Sequence, residues 1–153
     1  MSTLSVTTED ATDIRMTRVF DAPRHLVKRA MTEPDLIRRW LGNSHSPISS
    51  IDVDLRVGGR YRYAFSLPNG GEFALTGVYL EISDDRVVHT ERMEGAPGEA
   101  TVTTTLVESG GKTTMTVVMR FPSQEVRDGV LSTGMAEGAS ESYDNLAALV
   151  ASL

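Results

Sequence analysis

The sequence predicts an α+β fold in which a curved antiparallel sheet wraps around a long C-terminal helix. Segments with two-residue alternation, separated by glycine-rich turns, fill the middle of the chain, and this pattern is typical of an antiparallel meander. After Pro122 and Ser123 the apolar residues return at helical spacing to the end of the chain. A sheet with one apolar face must bury it, and this last amphipathic segment is long enough to do so.

The first predicted strand covers residues 13–20, where Ile14, Met16, Arg18 and Phe20 share one face. Residues 1–12 are rich in Ser, Thr and acidic side chains without periodicity, so we expect a flexible N-terminal tail followed by a single domain over residues 13–153. Further strands are predicted at residues 51–55, 61–67, 72–82, 86–93, 100–108 and 112–121. The sequence Pro68-Asn69-Gly70-Gly71 is a strong hairpin signal within this series.

Two short helices are predicted after the first strand. Pro23 suits a first helical turn because its missing amide proton has no partner there, and a second helix begins near Pro34 and stops at Gly42. Their apolar stripes are Leu26, Val27, Ala30 and Met31 in the first and Leu36, Ile37, Trp40 and Leu41 in the second. From Val126 onward we predict one long final helix.

Composition excludes several classes of function. The net charge of −6 argues against nucleic acid as a partner, because binding to a phosphate backbone needs clustered Lys and Arg. The absence of cysteine removes disulfides, thiol nucleophiles and thiolate metal sites. The N-terminus has neither a basic start nor an apolar run, and no segment has the roughly 20 apolar residues of a membrane span. We therefore expect a cytoplasmic protein.

Aromatic residues alternate in the stretch RYRYAFSL, so that Tyr61, Tyr63 and Phe65 form one apolar row on a strand face. The buried stripe of the final helix carries small side chains where a packed core would have Leu or Phe; they are Gly134, Gly138, Ala139 and Ser142. Small residues opposite an aromatic row favour a space between sheet and helix that can take a ligand.

Several motifs resemble one known family when they are taken together and in order. They are Arg18-Val-Phe-Asp-Ala-Pro23, Leu26-Val27, Arg39-Trp40, Asp54-Leu-Arg-Val-Gly-Gly-Arg60, Gly77-Val-Tyr-Leu-Glu-Ile82 and Gly134-Met-Ala-Glu-Gly138. The chain resembles, over residues 13–152, the homologues of the activator of the ninety-kilodalton heat-shock-protein ATPase. That family belongs to the START-like, or SRPBCC, superfamily, whose helix-grip fold is similar to that of the birch pollen allergen.

The resemblance implies a hydrophobic cavity between the curved sheet and the long helix. We expect a small apolar or amphipathic ligand there, bound without catalysis, and we expect the lining to be Trp40, Tyr61, Tyr63, Phe65, Phe73, His89, Met115, Val117, Met119, Met135 and Ala139. Ala139 stands where relatives often carry Trp, so we expect the lining of the cavity to differ from that of the relatives. A module that activates a chaperone, and an enzyme acting on a polyketide-like or lipid-like substrate, are alternatives, and the residues leave open whether the chain forms a homodimer.

His89 and Glu91 are the candidates for catalysis, because their spacing puts an imidazole and a carboxyl on one face of a strand. Alternation leaves open which face of that strand points inward. His25, His45 and His89 fall on separate elements without ligand spacing, so no metal site is predicted. Motifs for a serine hydrolase or a nucleotide site are missing as well, and we predict no cofactor.

Two groups of basic residues have alternative interpretations. Arg18 shares its face with apolar residues, so it needs either a structural carboxylate or a ligand anion. The basic run over residues 24–29, with Arg38 and Arg39, is balanced by Asp21, Glu33 and Asp35. A solvated helix face is the simpler interpretation of that run, and a docking patch for an acidic partner is the alternative.

Overall fold

The computed structural model describes residues 3–42 and 44–153. The strands are β1 (Ser5–Thr7), β2 (Asp13–Phe20), β3 (Ile48–Val53), β4 (Arg60–Ser66), β5 (Glu72–Ile82), β6 (Arg86–Met93), β7 (Ala100–Ser109) and β8 (Lys112–Arg120). The helices are α1 (Arg24–Thr32), α2 (Pro34–Ile37), α3 (Gln124–Leu131) and α4 (Met135–Ser152). The predicted class is confirmed: a curved, unclosed antiparallel sheet is accompanied by short helices and a C-terminal helix.

All eight strands join one sheet in the order β1-β2-β8-β7-β6-β5-β4-β3. The meander from β3 to β8 therefore pairs neighbours in sequence. Strand β2 pairs with β8, and the connection that contains α1 and α2 carries the chain from β2 to β3 at the far edge of the sheet. Strands β1 and β3 are the two edges. Register fixes which side chains share a face, because cross-strand partners point to the same side.

The inner face of β2, β8 and β7 carries a closed hydrophobic core. The C-terminal half of α4 covers it with Leu146, Leu149 and Val150, which are all buried. The buried strand residues in this core include Ile14, Met16, Phe20, Val102, Leu106, Met115, Val117 and Met119. Complete burial of such side chains contributes about 1.5–3 kcal/mol each, so this half of the sheet anchors the helix.

The segment predicted as a tail contains strand β1, which pairs with β2 in the register Ser5↔Thr17 to Thr7↔Arg15. Periodicity cannot reveal a strand of three residues. The chain between β1 and β2 is held by Arg127 of α3, whose guanidinium donates to the carbonyls of Asp10 and Asp13 at 2.8 and 2.9 Å. These contacts depend on a residue more than a hundred positions away.

The prediction of one continuous final helix was wrong. Helix α3 ends at Leu131, and α4 begins after Gly134, which has a left-handed φ of 82°. The hydroxyl of Ser132 donates to the Gly129 carbonyl at 2.7 Å, and that of Thr133 donates to the Val130 carbonyl at 2.6 Å. Hydroxyl groups that bond to the preceding turn compete with the helical ladder, and glycine then permits the change of direction.

Candidate functional site

The inner face of β4, β5 and β6 differs from the closed core beside it. Its side chains are mostly aromatic or polar, and several remain partly exposed although they lie on the concave side of the sheet. The partly exposed residues are Tyr63, Phe73, Leu75, His89 and Glu91 from the strands, with Met135, Ala139 and Tyr143 from α4. We call this surface the half-exposed face. It is the candidate functional site.

Tyr61 is the buried centre of this face. Its ring lies 4.8 Å from the ring of Tyr63, 5.5 Å from that of Tyr79 and 5.1 Å from that of His89, measured between centroids. Such edge and tilted contacts add to the stabilisation from buried area. The aromatic row predicted from the sequence is therefore one part of a larger ring cluster.

The hydroxyl of Tyr61 fills an interruption in the sheet. Pairing of β5 with β6 is interrupted between Thr76↔Arg92 and Tyr79↔His89. In that interval the Tyr61 hydroxyl donates to the Thr90 carbonyl at 2.7 Å, and the Val78 amide donates to the Thr90 hydroxyl at 3.0 Å. A buried carbonyl without a partner is costly, so the phenol replaces a bond that the ladder lacks.

Gly77 makes room for this arrangement. A Cβ at this position would lie 1.9 Å from the Thr90 carbonyl oxygen and 2.5 Å from Cε2 of Tyr61. Both distances are far below van der Waals contact, and one of the two partners is backbone. The glycine is therefore required by the close approach of a ring and a strand rather than by a turn.

His89 and Glu91 both belong to the inner face, which alternation could not decide. Nδ1 of His89 lies 2.9 Å from the Tyr61 hydroxyl oxygen and 2.9 Å from the Thr90 carbonyl oxygen. Since a carbonyl oxygen only accepts, we assign the imidazole proton to Nδ1. The lone pair of the neutral ring is then on Nε2, and that atom makes no hydrogen bond within the part of the chain that the structure describes.

The interior shifts the acid–base equilibria of both groups. Burial lowers the pKa of His89, and the bond to the Thr90 carbonyl opposes part of this change. Burial raises the pKa of Glu91 to about 7, against the opposing effect of the Tyr61 hydroxyl. The inner face of β6 therefore carries a neutral imidazole and, two residues further on, a carboxyl group that is partly protonated at neutral pH.

Helix α4 brings Tyr143 to the same place. Burial raises the pKa of Tyr143, and the charge of Glu91 raises it further. The ring of Tyr143 stacks on Trp40 with centroids 5.7 Å apart. Trp40 is itself fixed by an indole N–H bond of 2.7 Å to the Ala30 carbonyl.

The other residues predicted as lining separate into two groups. Phe65 and Phe73 stack at 4.8 Å near the hairpin end of the half-exposed face, and Met135 and Ala139 of α4 are half-buried against the hydrophobic cluster that contains Trp40. Met115, Val117 and Met119 lie instead in the closed core under Leu146 and Leu149. The three β8 residues that were predicted to line the ligand site are therefore packed in the closed core instead.

Arg18 pairs with a carboxylate from the helix. Its guanidinium Nη1 donates to Asp144 of α4, and its side chain is 3% exposed while that of Asp144 is 62% exposed. The Nε atom of Arg18 is buried without a hydrogen-bond partner. Of the two predicted partners for Arg18, a structural carboxylate or a ligand anion, the structure shows the carboxylate. The ion pair connects β2 to α4.

Sequence reasoning did not include Tyr79 and Tyr143 in the site. Tyr79 is two positions beyond Gly77 on the inner face of β5, and its ring contacts both Tyr61 and His89. Tyr143 follows Ala139 by four residues, so it lies on the same helix face one turn later. Both positions could have been found from strand alternation and helical spacing.

Two surface grooves occur elsewhere in the described residues. One, of about 570 Å³, lies on the outer face of β3 to β6 and is lined by Arg60, Arg62, Thr76 and Arg92 among others. The second, of about 370 Å³, borders α1. In the basic run, Lys28 lies 3.8 Å from Asp84 and Arg29 lies 2.9 Å from Glu33, so part of its charge is neutralised.

A group of metal ligands and a helix able to cross a membrane are both absent from the residues that the structure describes. Within residues 3–42 and 44–153, no three His, Cys, Asp or Glu side chains are grouped so that they could hold a metal ion. The helices found in the same residues are all too short or too polar to span a bilayer.

Fold and site together define a helix-grip protein of the SRPBCC superfamily. The model of the family described as Activator of Hsp90 ATPase homolog 1-like protein matches residues 21–151. The chain belongs to this family. No curated protein matches the sequence.

Solved structures agree with this assignment. A protein from Rhodobacter sphaeroides is 28% identical, with a TM-score of 0.91 and 99% of each chain covered. A protein from Chromobacterium violaceum is 29% identical, with a TM-score of 0.79, covering 92% of this chain and 98% of the other. CalU16 from Micromonospora echinospora is 25% identical, with a TM-score of 0.63 and coverage of 98% and 85%.

Proposed function

We propose that the chain binds a small apolar or amphipathic molecule against the half-exposed face, between the sheet and α4. One observation carries this proposal: the same concave face is sealed along β2, β8 and β7 but partly exposed along β4, β5 and β6. Aromatic walls with a few polar groups are typical of small-molecule sites. Membership of a superfamily with a ligand-binding fold supports the same function.

The test uses an apolar fluorescent probe and two tryptophan variants of α4. Ala139 is half-buried on the helix face that also carries Tyr143, whereas Ala148 is exposed on the same helix. The wild-type chain should bind about one equivalent of probe and should gain thermal stability by mass action. Ala139→Trp should block the probe because the indole occupies its place, and Ala148→Trp should bind it as the wild type does.

Two results would contradict the proposal. The first is a wild-type chain that binds no probe. The second is equal probe binding by the Ala139→Trp and Ala148→Trp variants, since the probe would then lie elsewhere.

A catalytic role for His89 and Glu91 is a second candidate, favoured by their placement beside the Tyr61 hydroxyl and by pKa shifts in opposite directions. Such pairs can divide acid and base roles. The measurement is an NMR titration of the His89 imidazole with and without bound probe. A titration at the ordinary imidazole pKa that bound probe leaves unchanged would remove this candidate.

A further inference from the structure

The polar groups of the half-exposed face suit one kind of ligand. Nε2 of His89 offers a lone pair that no described residue uses. The carboxyl group of Glu91 lies two positions further along the same face of β6. A protonated carboxyl donates a hydrogen bond, and an imidazole lone pair accepts one. Because the two groups share one strand face, a ligand hydroxyl there has an acceptor in the imidazole and a donor in the protonated carboxyl group.

Among residues 3–42 and 44–153, no cation acts on the pKa of Glu91, and the groups around it are neutral or acidic. The titratable groups around it are His89 on β6, Tyr61 and Tyr63 on β4, Tyr79 on β5 and Tyr143 on α4. The cation Arg18 lies on β2, separated from β6 by β7 and β8, and is paired with Asp144. A ligand anion beside Glu91 would meet a like charge without compensation.

We propose, on the basis of the function proposed above, that the natural ligand is an uncharged aromatic molecule with a hydroxyl group and that Glu91 selects against carboxylates. The ring cluster around Tyr61 provides stacking partners for such a molecule. Two carboxylates in a poorly solvated site repel each other strongly. Burial also lowers the pKa of His89, so the imidazole does not readily become the missing cation.

The experiment compares two probes of the same shape. Competition with the apolar fluorescent probe measures the affinities of 2-naphthol, which is neutral, and of 2-naphthoate, which is anionic, at about pH 6 and about pH 8.5. At the higher pH the wild-type chain should bind the naphthol at least roughly tenfold more tightly than the naphthoate. The naphthoate should lose affinity between the two pH values, because Glu91 becomes ionised over this interval.

Two variants decide whether Glu91 is responsible. Glu91→Gln keeps the shape and removes the charge, so it should reduce the preference for naphthol and abolish the pH dependence of naphthoate binding. Glu94→Gln removes the same charge on the outer face, where Glu94 pairs with Arg62 at 3.0 Å, and should behave as the wild type does.

The outcomes separate this inference from the function on which it rests. If naphthoate binds as tightly as naphthol to the wild-type chain at the higher pH, selection by Glu91 is refuted while ligand binding stands. An unchanged preference in Glu91→Gln also refutes it. If neither the naphthalene compounds nor the apolar probe bind, the proposed function fails together with the inference.

Discussion

The hydroxyl of Tyr61 donates a hydrogen bond of 2.7 Å to the backbone carbonyl of Thr90, where the pairing of β5 with β6 is interrupted. One side chain thus completes the sheet, and its ring forms the centre of the cluster around His89. Stability of the sheet and geometry of the candidate site therefore depend on the same residue.

Replacing Tyr61 with Phe keeps the ring and removes this bond. The Thr90 carbonyl then loses one of its partners, so we expect a loss of about 1–2 kcal/mol in unfolding free energy, measured by urea denaturation. The Tyr61 hydroxyl also lowers the pKa of Glu91, so this pKa should rise further in the variant. A drop in the Glu91 pKa would contradict the placement of the phenol beside the carboxyl group.

Gly77→Ala tests the close packing behind Tyr61. Its Cβ would overlap the Thr90 carbonyl and the Tyr61 ring at 1.9 and 2.5 Å, so we expect a destabilisation of about 2–3 kcal/mol or more. Gly129→Ala is the matched control, because a Cβ there meets no atom within 4 Å. That control lies in α3 and should gain about 0.5–1 kcal/mol from helix propensity. If the two substitutions changed the melting temperature equally, the surroundings of Gly77 would have room for a Cβ, contrary to this expectation.

Glu91→Gln should change how stability depends on pH. The folded chain keeps the Glu91 proton up to about pH 7, whereas the ordinary pKa of 4.5 applies to the unfolded chain. Between these values Glu91 keeps its proton in the folded state and loses it in the unfolded state, so its contribution to the unfolding free energy falls as the pH rises. The lowered pKa of His89 acts in the opposite direction below about pH 6.5, and both the wild type and the variant carry this residue.

The variant has no such titration, so it should be more stable than the wild type by about 1–3 kcal/mol at slightly alkaline pH. Urea denaturation across this range is the measurement. Glu94→Gln is the control, because the bond to Arg62 lowers the Glu94 pKa instead. A stability difference between the wild type and Glu91→Gln that stays constant from about pH 5 to 8 would show that Glu91 ionises with its ordinary pKa.

Substitutions of Asp144 and of Arg18 should reduce the unfolding free energy by different amounts. Asp144→Asn leaves the buried guanidinium unpaired, and we expect a cost of about 2–4 kcal/mol. Arg18→Met replaces the cation with an apolar side chain among apolar neighbours and should cost much less. Chemical denaturation of both variants gives the comparison, and a larger loss for Arg18→Met would show that Arg18 contributes more than its ion pair.

Local sequence patterns predicted much of the sheet. The observed bounds of β2, β5 and β6 coincide with the predicted segments 13–20, 72–82 and 86–93, because alternation and turn residues act within a few positions of each other. The break before α4 was missed, since the apolar stripe continues across it and the competing hydroxyl bonds are weak signals. Strand β1 was missed because three residues carry no measurable period.

The sequence by itself determined the class of fold, the aromatic row of β4 and the candidates His89 and Glu91. Tertiary structure decided that this pair faces inward, that Tyr61 bridges the interrupted ladder, and that β8 contributes to a closed core rather than to the half-exposed face. The physical reason is the range of the interactions. Periodicity reports which residues share a face, but burial, pKa shifts and ion pairs such as Arg18 with Asp144 depend on which distant elements pack against that face.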